Sequence, residues 1–434
     1  MRKVFACIMV FVLILTMNAG ILFAVESVDS NISSESDDPY SHEALNVLAN
    51  PIDAVKKLND RIDQLPDNAF KPSKKVKSIK KSFETSCEQL IKELERGSFV
   101  QAKKYVDGCL IKDIQKWIVP KERKTLQKYI DYVLGFIRDS SEVVIKTTSG
   151  TVAGLYLEPP CWAWTGIPYA KSPVGELRWK APQDPESWDG IRFSTFEKEC
   201  SVQVEKNYYW APTGKIIGSE DCLNLNVYRP KSKEKNLPVY FWIHGGGYVT
   251  GKAEEYLFAQ FLAVECNVVV VVIDYRLGAL GWLNHPALTS EGTMGDKSGN
   301  YGTLDMIKAL EWVQKNICSF GGNPQNVTVA GESAGGSAVL NLMLSPLAKG
   351  LFHKAVVQSS GVNNIPVESG VEMANNLIDK LLVADKTCVD LEAADIYRKS
   401  MSNEKIESYL RSKTGYAMFI AYHLKNKNSK LSLS

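Results

Sequence analysis

Val327-Thr328-Val329-Ala330-Gly331-Glu332-Ser333-Ala334-Gly335-Gly336 is the stretch on which the fold turns. Val327-Thr328-Val329 reads as a buried strand, and Ser337 to Leu344 reads as a helix. Between them, Gly331-Glu332-Ser333-Ala334-Gly335 has the Gly-x-Ser-x-Gly spacing of a tight strand-to-helix turn. Such a turn lifts a serine hydroxyl above a sheet. Glycines two residues before and after the serine keep side chains out of the crossing backbone. The helix that follows presents its N-terminus, which favours developing negative charge. Ser333 is therefore the candidate nucleophile.

A second run, His244-Gly245-Gly246-Gly247, follows the strand-like Val239-Tyr240-Phe241-Trp242-Ile243. An oxyanion hole needs backbone N–H groups that can approach a substrate closely, which side chains would prevent. Gly246 and Gly247, together with the N–H of Ala334, are the candidate donors. Val268 to Ile273 is an almost unbroken Val/Ile run, the pattern of a strand buried on both faces. Ala355-Val356-Val357 is another strand, and Leu304 to Ile317 is helical. Strands alternating with helices predict an α/β fold with a mostly parallel central sheet.

With these motifs in order, the segment 143–410 resembles the type-B carboxylesterase and cholinesterase family. Glu220-Asp221-Cys222-Leu223-Asn224-Leu225-Asn226-Val227-Tyr228 is similar to a family signature. Asp274-Tyr275-Arg276-Leu277-Gly278 is similar to another, with Asp in place of the usual Asn. Gly299-Asn300-Tyr301-Gly302 with Asp305, then Phe320-Gly321-Gly322-Asn323-Pro324, lead into the serine turn. The resemblance implies an α/β-hydrolase fold and hydrolysis of small carboxylic esters through an acyl-serine. It implies no cofactor and no metal, and a disulfide between Cys200 and Cys222. It also implies a triad acid and histidine further along than this chain runs, so the domain is expected to be truncated, with its C-terminal strands missing. The acid and base stay unassigned. His353 matches a family position at a helix-to-strand junction with no triad role, and His423 falls in a Lys- and Ser-rich segment. Residues 411–434 are expected to be an unrelated, solvated tail, and the strand Ala355-Val356-Val357 an exposed apolar edge. Other readings are a non-catalytic binding or adhesion protein on an esterase scaffold, and a gene remnant.

The remainder of the chain frames this domain. Arg2 and Lys3 precede an apolar run from Val4 to Phe23, and Ala24 suits cleavage, so 1–25 is expected to direct export. The alternative is an uncleaved anchor formed by residues 4–23. Location is thus expected to be secreted, periplasmic or at the cell surface, with membrane contact only through that segment. Residues 26–45 are polar and read as a disordered spacer holding the sequon Asn31-Ile32-Ser33. Ile52, Val55, Leu58, Ile62 and Leu65 recur at helical spacing, and residues 46–140 are predicted to form a small all-helical module. Asn50-Pro51-Ile52-Asp53-Ala54 with Leu65-Pro66-Asp67-Asn68-Ala69-Phe70 resembles a helical module appended to secreted and surface proteins, which implies a spacer rather than a catalyst. In it Cys87 and Cys109 are either a clip between helices or two free thiols. With 51 Lys and Arg against 49 Asp and Glu, the net charge is +2, which argues against nucleic acid as a partner. The basic residues Lys71, Lys74, Lys75, Lys77, Lys80 and Lys81 read as a solvated helix face. Oligomeric state is not encoded in any of these patterns.

Overall fold

Asn50 starts the first ordered element. Its side chain accepts a hydrogen bond from the Asp53 amide at 2.9 Å, and Pro51 follows at the first helical position, where it forfeits no hydrogen bond. The computed structural model describes residues 50–423 apart from 72–74, 158–159, 196–197, 207–211, 257 and 363–364. The expected export segment and polar spacer lie outside the described residues. No described helix is long and apolar enough to cross a membrane.

Among the described residues, five α-helices form the N-terminal part: α1 (Pro51–Gln64), α2 (Val76–Glu95), α3 (Phe99–Tyr105), α4 (Ile111–Trp117) and α5 (Pro120–Val143). The apolar positions at helical spacing all face inward. Val55, Leu58, Ile62, Phe83, Leu90, Leu110 and Ile130 share one core. Cys87 and Cys109 are free thiols, so packing rather than a clip holds these helices together. No linker separates this part from the next. Helix α5 ends at Val143, and strand β1 (Val144–Lys146) begins at once. The Val143 carbonyl accepts hydrogen bonds from the Gly154 amide at 2.9 Å and the Trp164 indole at 2.7 Å. Phe136 on α5 packs on Phe193 with ring centroids 5.8 Å apart.

The remaining strands are β2 (Thr151–Ala153), β3 (Leu155–Leu157), β4 (Cys161–Pro168), β5 (Ile191–Phe193), β6 (Gln203–Lys206), β7 (Pro212–Ile217), β8 (Asn224–Pro230), β9 (Leu237–Ile243), β10 (Val269–Ile273), β11 (Gly322–Glu332) and β12 (Lys354–Gln358). Seven of them make the central sheet, in the order β12-β11-β9-β10-β8-β4-β3. The pairs from β10 through β9 and β11 to β12 are parallel, and β10–β8, β8–β4 and β4–β3 are antiparallel. The parallel half is the one that carries the serine turn. Every residue of β10 is buried, as its Val/Ile run predicts. Helices α6 (Phe258–Cys266), α7 (Tyr301–Asn316) and α8 (Ala334–Leu344) make the crossovers. β12 is an edge strand with β11 on one side, as the sequence leads one to expect, and it is only half-buried at Val356 and Val357.

Two expectations are corrected. Cys200 and Cys222 are both buried but remain separate thiols instead of a disulfide. The Cys222 thiol instead interacts with the Ser201 side chain, in a fully buried environment that raises its pKa well above the usual thiol value. Burial likewise pushes the Cys200 thiol up to about 12, which keeps it protonated. Second, residues 411–434 do not all form a solvated tail. After α9 (Val367–Ala384), α10 (Leu391–Lys399) and α11 (Asn403–Arg411), residues Gly415–His423 form a further helix, α12, with Met418, Ile420 and Ala421 buried. The apolar run Ala417-Met418-Phe419-Ile420-Ala421 outweighs its lysine-rich flanks. Arg178 anchors the approach to it by donating to the carbonyls of Leu410, Arg411 and Lys413 and to both Glu220 carboxylate oxygens.

Candidate active site

Parallel strands β9 and β11 run side by side, with Ile243 level with Gly331. Both therefore deliver their C-terminal loops to the same edge of the sheet, where open α/β sheets bind ligands. Ser333 begins the turn into α8 with φ 55° and ψ −122°, a left-sided backbone conformation that side-chain-bearing residues seldom adopt. The glycines around it are required by contact. A Cβ on Gly331 would lie 2.4 Å from the Gly335 carbonyl oxygen, and one on Gly335 would lie 2.1 Å from the Ile243 carbonyl oxygen.

The loop from His244 to Gly251 lies against this turn. A Cβ added to Gly245 would meet the Ser333 Cβ at 3.3 Å and the Glu332 carbonyl oxygen at 2.8 Å. Gly246 and Gly247 have φ of 107° and 64°, which glycine alone adopts without strain. The loop closes on itself through the Gly246 carbonyl, which accepts from the Val249 amide at 3.1 Å and the Thr250 amide at 3.0 Å. The amides of Gly246, Gly247 and Ala334 have no hydrogen-bond acceptor among the described residues. The three candidate donors are thus gathered beside the candidate nucleophile with their hydrogens uncommitted.

Several side chains hold the loop from outside. The Tyr275 hydroxyl donates to the His244 carbonyl at 2.7 Å, and the Tyr256 hydroxyl accepts from the Gly245 amide at 3.3 Å. The His244 imidazole donates through Nδ1 to the Gly245 carbonyl at 2.8 Å and stacks on Tyr275 with centroids 4.2 Å apart. Burial lowers its pKa to about 4, so the ring is neutral near pH 7. Gln203, from β6, is bonded to Gly251 through both atoms of its amide. Gln203 and Tyr256 escape sequence reasoning because each is an isolated polar side chain in no motif, whereas His244 and Tyr275 lie in motifs that do not reveal these contacts.

No described histidine reaches Ser333, whose hydroxyl makes no hydrogen bond among the described residues. His353 accepts from the Val327 amide at 3.2 Å, six residues earlier along the same strand. At about 3.3 Å per residue, that is about 20 Å from the serine. His423 is bonded through Nδ1 to the Phe419 carbonyl at 2.9 Å and packs on the Phe419 ring. His285 caps a short helix by accepting from the Ala287 amide at 3.0 Å. Among the described residues no cluster of three or more His, Cys, Asp or Glu side chains could hold a metal ion.

A sequence profile described as the carboxylesterase family matches residues 141–428. The chain belongs to the carboxylesterase family. The match runs past the boundary expected at residue 410 and takes in α12. This carboxylesterase-family chain is 39% identical to human cocaine esterase over 294 residues, which are 63% of the chain and 50% of that protein. It is 42% identical to the para-nitrobenzyl esterase of Bacillus subtilis over 226 residues, 52% of the chain and 45% of that protein. A solved structure of the Geobacillus stearothermophilus carboxylesterase EST55 superimposes with a TM-score of 0.53 at 32% identity, covering 64% of this chain and 54% of that one. The neighbours share the α/β-hydrolase architecture. The chain spans about half the length of the curated relatives it matches.

Proposed function

We propose that the protein is an exported carboxylic ester hydrolase that acts through an acyl-serine at Ser333. The Ser333 oxygen attacks the ester carbonyl. The carbonyl oxygen becomes an oxyanion held by the N–H groups of Gly246, Gly247 and Ala334, and the α8 N-terminus adds a favourable field. Expulsion of the alcohol leaves the acyl group on Ser333, and water then releases the acid. The observation that carries this reading is the set of three uncommitted amides beside a serine on a strained turn. Small carboxylic esters are the proposed substrates, by analogy with the esterases it resembles. Export rests on Arg2, Lys3 and the apolar run Val4 to Phe23.

The test is the initial rate of p-nitrophenyl butyrate hydrolysis by the full chain against a Ser333→Ala variant. Hydrolysis that disappears in the variant supports the proposal; equal rates from two folded proteins reject it. A second reading, an esterase scaffold whose serine is not activated, is favoured by a Ser333 hydroxyl that makes no hydrogen bond among the described residues. A serine needs a general base to become a strong nucleophile. On that reading a fluorophosphonate probe leaves Ser333 unlabelled.

A further inference from the structure

Outside the serine turn and the glycine run, one buried side chain is committed with unusual completeness to the loop between them. Gln203 lies on β6, is almost fully buried, and uses every part of its amide. Its Oε1 accepts from the Gly251 amide at 2.7 Å. Its Nε2 donates to the Gly251 carbonyl at 2.9 Å and to the Ser201 carbonyl at 3.0 Å. A two-way amide pairing of this kind fixes both position and orientation of the peptide it grips, as a strand partner would.

The gripped residue closes the oxyanion loop. Gly251 has φ 111°, and a Cβ there would lie 2.4 Å from His244 Nδ1 and 2.6 Å from the Gly245 carbonyl oxygen. Gly251 therefore packs directly on the first two residues of the loop, and a shift in it is transmitted to them. Ser201, whose carbonyl Gln203 also holds, accepts from the Leu277 amide at 3.0 Å through Oγ. The neighbouring Gly278 amide donates to the Tyr248 carbonyl at 2.7 Å. The segment 201–203 thus braces the loop at Gly251 directly and at Tyr248 by way of Leu277 and Gly278.

We infer that Gln203 is a positioning residue for the oxyanion hole: it holds Gly251 so that the Gly246 and Gly247 amides stay aimed at the reacting carbonyl oxygen. The inference rests on the role proposed above for those amides. Gln203 touches no substrate and acts only through the loop.

The test uses the full chain and the nearly isosteric Gln203→Met, which keeps the volume and removes all three hydrogen bonds. Hydrogen–deuterium exchange followed by mass spectrometry reads the segment 245–251, and p-nitrophenyl butyrate hydrolysis reads kcat and KM separately. In the unmodified protein the Gly251 amide exchanges at least about ten-fold more slowly than an exposed loop amide. In Gln203→Met that protection is lost while β9 and β11 stay protected, and kcat falls by about ten-fold or more with KM little changed. The exchange rate of the Gly251 amide in the unmodified protein needs no variant and decides the grip even if the Met variant does not fold. An unprotected Gly251 in the unmodified protein overturns the inference, as does faster exchange with unchanged kcat. Lost protection in the variant, with no Ser333-dependent hydrolysis even in the unmodified protein, rejects the proposed function but supports the grip on the loop.

Discussion

At the residue scale, the site is built from conformations that particular side chains forbid or permit. Ser333 occupies a φ/ψ region that costs about 1–3 kcal/mol for a non-glycine residue, and it is held there by its amide donating to the Gln358 carbonyl and its carbonyl accepting from the Ser337 amide, both at 3.0 Å. This part of the site is legible in the sequence because its chemistry demands local spacing, with glycines two residues either side of a serine or three in a row. The contacts of Gln203, Tyr256 and Tyr275 are not legible, because their loop partners lie 48, 11 and 31 residues away and only the folded chain brings them together. His244 leads to a pH prediction. Its folded pKa is depressed from 6.5 to about 4, so the neutral ring is favoured in the fold while the unfolded chain takes up a proton as pH falls below 6.5. The stability it contributes is complete above that pH and is lost as pH falls towards 4. Between pH 7 and pH 5 this group alone removes about 2 kcal/mol. Urea unfolding at the two pH values measures it, and His244→Gln is expected to shrink the pH dependence by about that amount. An unchanged dependence would mean that His244 is not the group responsible.

At the element scale, the loop after β10 is tied to α7 by a buried ion pair. Arg276 donates through Nε and Nη2 to the two Asp305 oxygens at 2.8 and 2.7 Å, and the Asp305 carboxylate also accepts from the Arg276 amide at 3.1 Å. Both residues were visible within the family-like motifs, but their pairing was not, since 29 residues separate them. Removing one partner leaves a buried charge uncompensated, so Asp305→Ala is expected to cost about 3–5 kcal/mol. Denaturant unfolding tests this, and a loss below about 1 kcal/mol would show that the pair is dispensable. Strand β10 is readable because an unbroken Val/Ile run reports burial on both faces, and the N-terminal helices because their apolar period does. Helix α12 is not, because its nine residues are apolar on nearly all sides and carry no helical period to detect among lysine-rich flanks. The Cys200–Cys222 bridge fails for a related reason: it rested on resemblance, whereas the local packing pairs Cys222 with Ser201.

At the scale of the whole molecule, a helical part and an α/β part are joined without a linker, through α5, Val143 and the Phe136–Phe193 contact. The sequence reads the first part as a spacer, because nothing local reveals that Val143 will accept two hydrogen bonds from the second. Among the described residues, β12 pairs on one side only, with β11. In the segments that precede and follow β12 in the chain, Leu344 and Leu347 are 69% and 61% exposed, and Val362 and Ile365 are also exposed. An unpaired edge with apolar neighbours favours association. The full chain is expected to self-associate at micromolar concentration, and Leu344→Lys with Leu347→Lys is expected to shift it towards monomer. Sedimentation velocity decides, and a monomeric unmodified chain would contradict this view of the edge. Acyl transfer to Ser333 is tested by intact-protein mass spectrometry after brief exposure to p-nitrophenyl butyrate with acid quench. A butyryl adduct that maps to Ser333 and is absent in Ser333→Ala is the predicted result. An unmodified protein, or an adduct that persists in the alanine variant, would contradict the account.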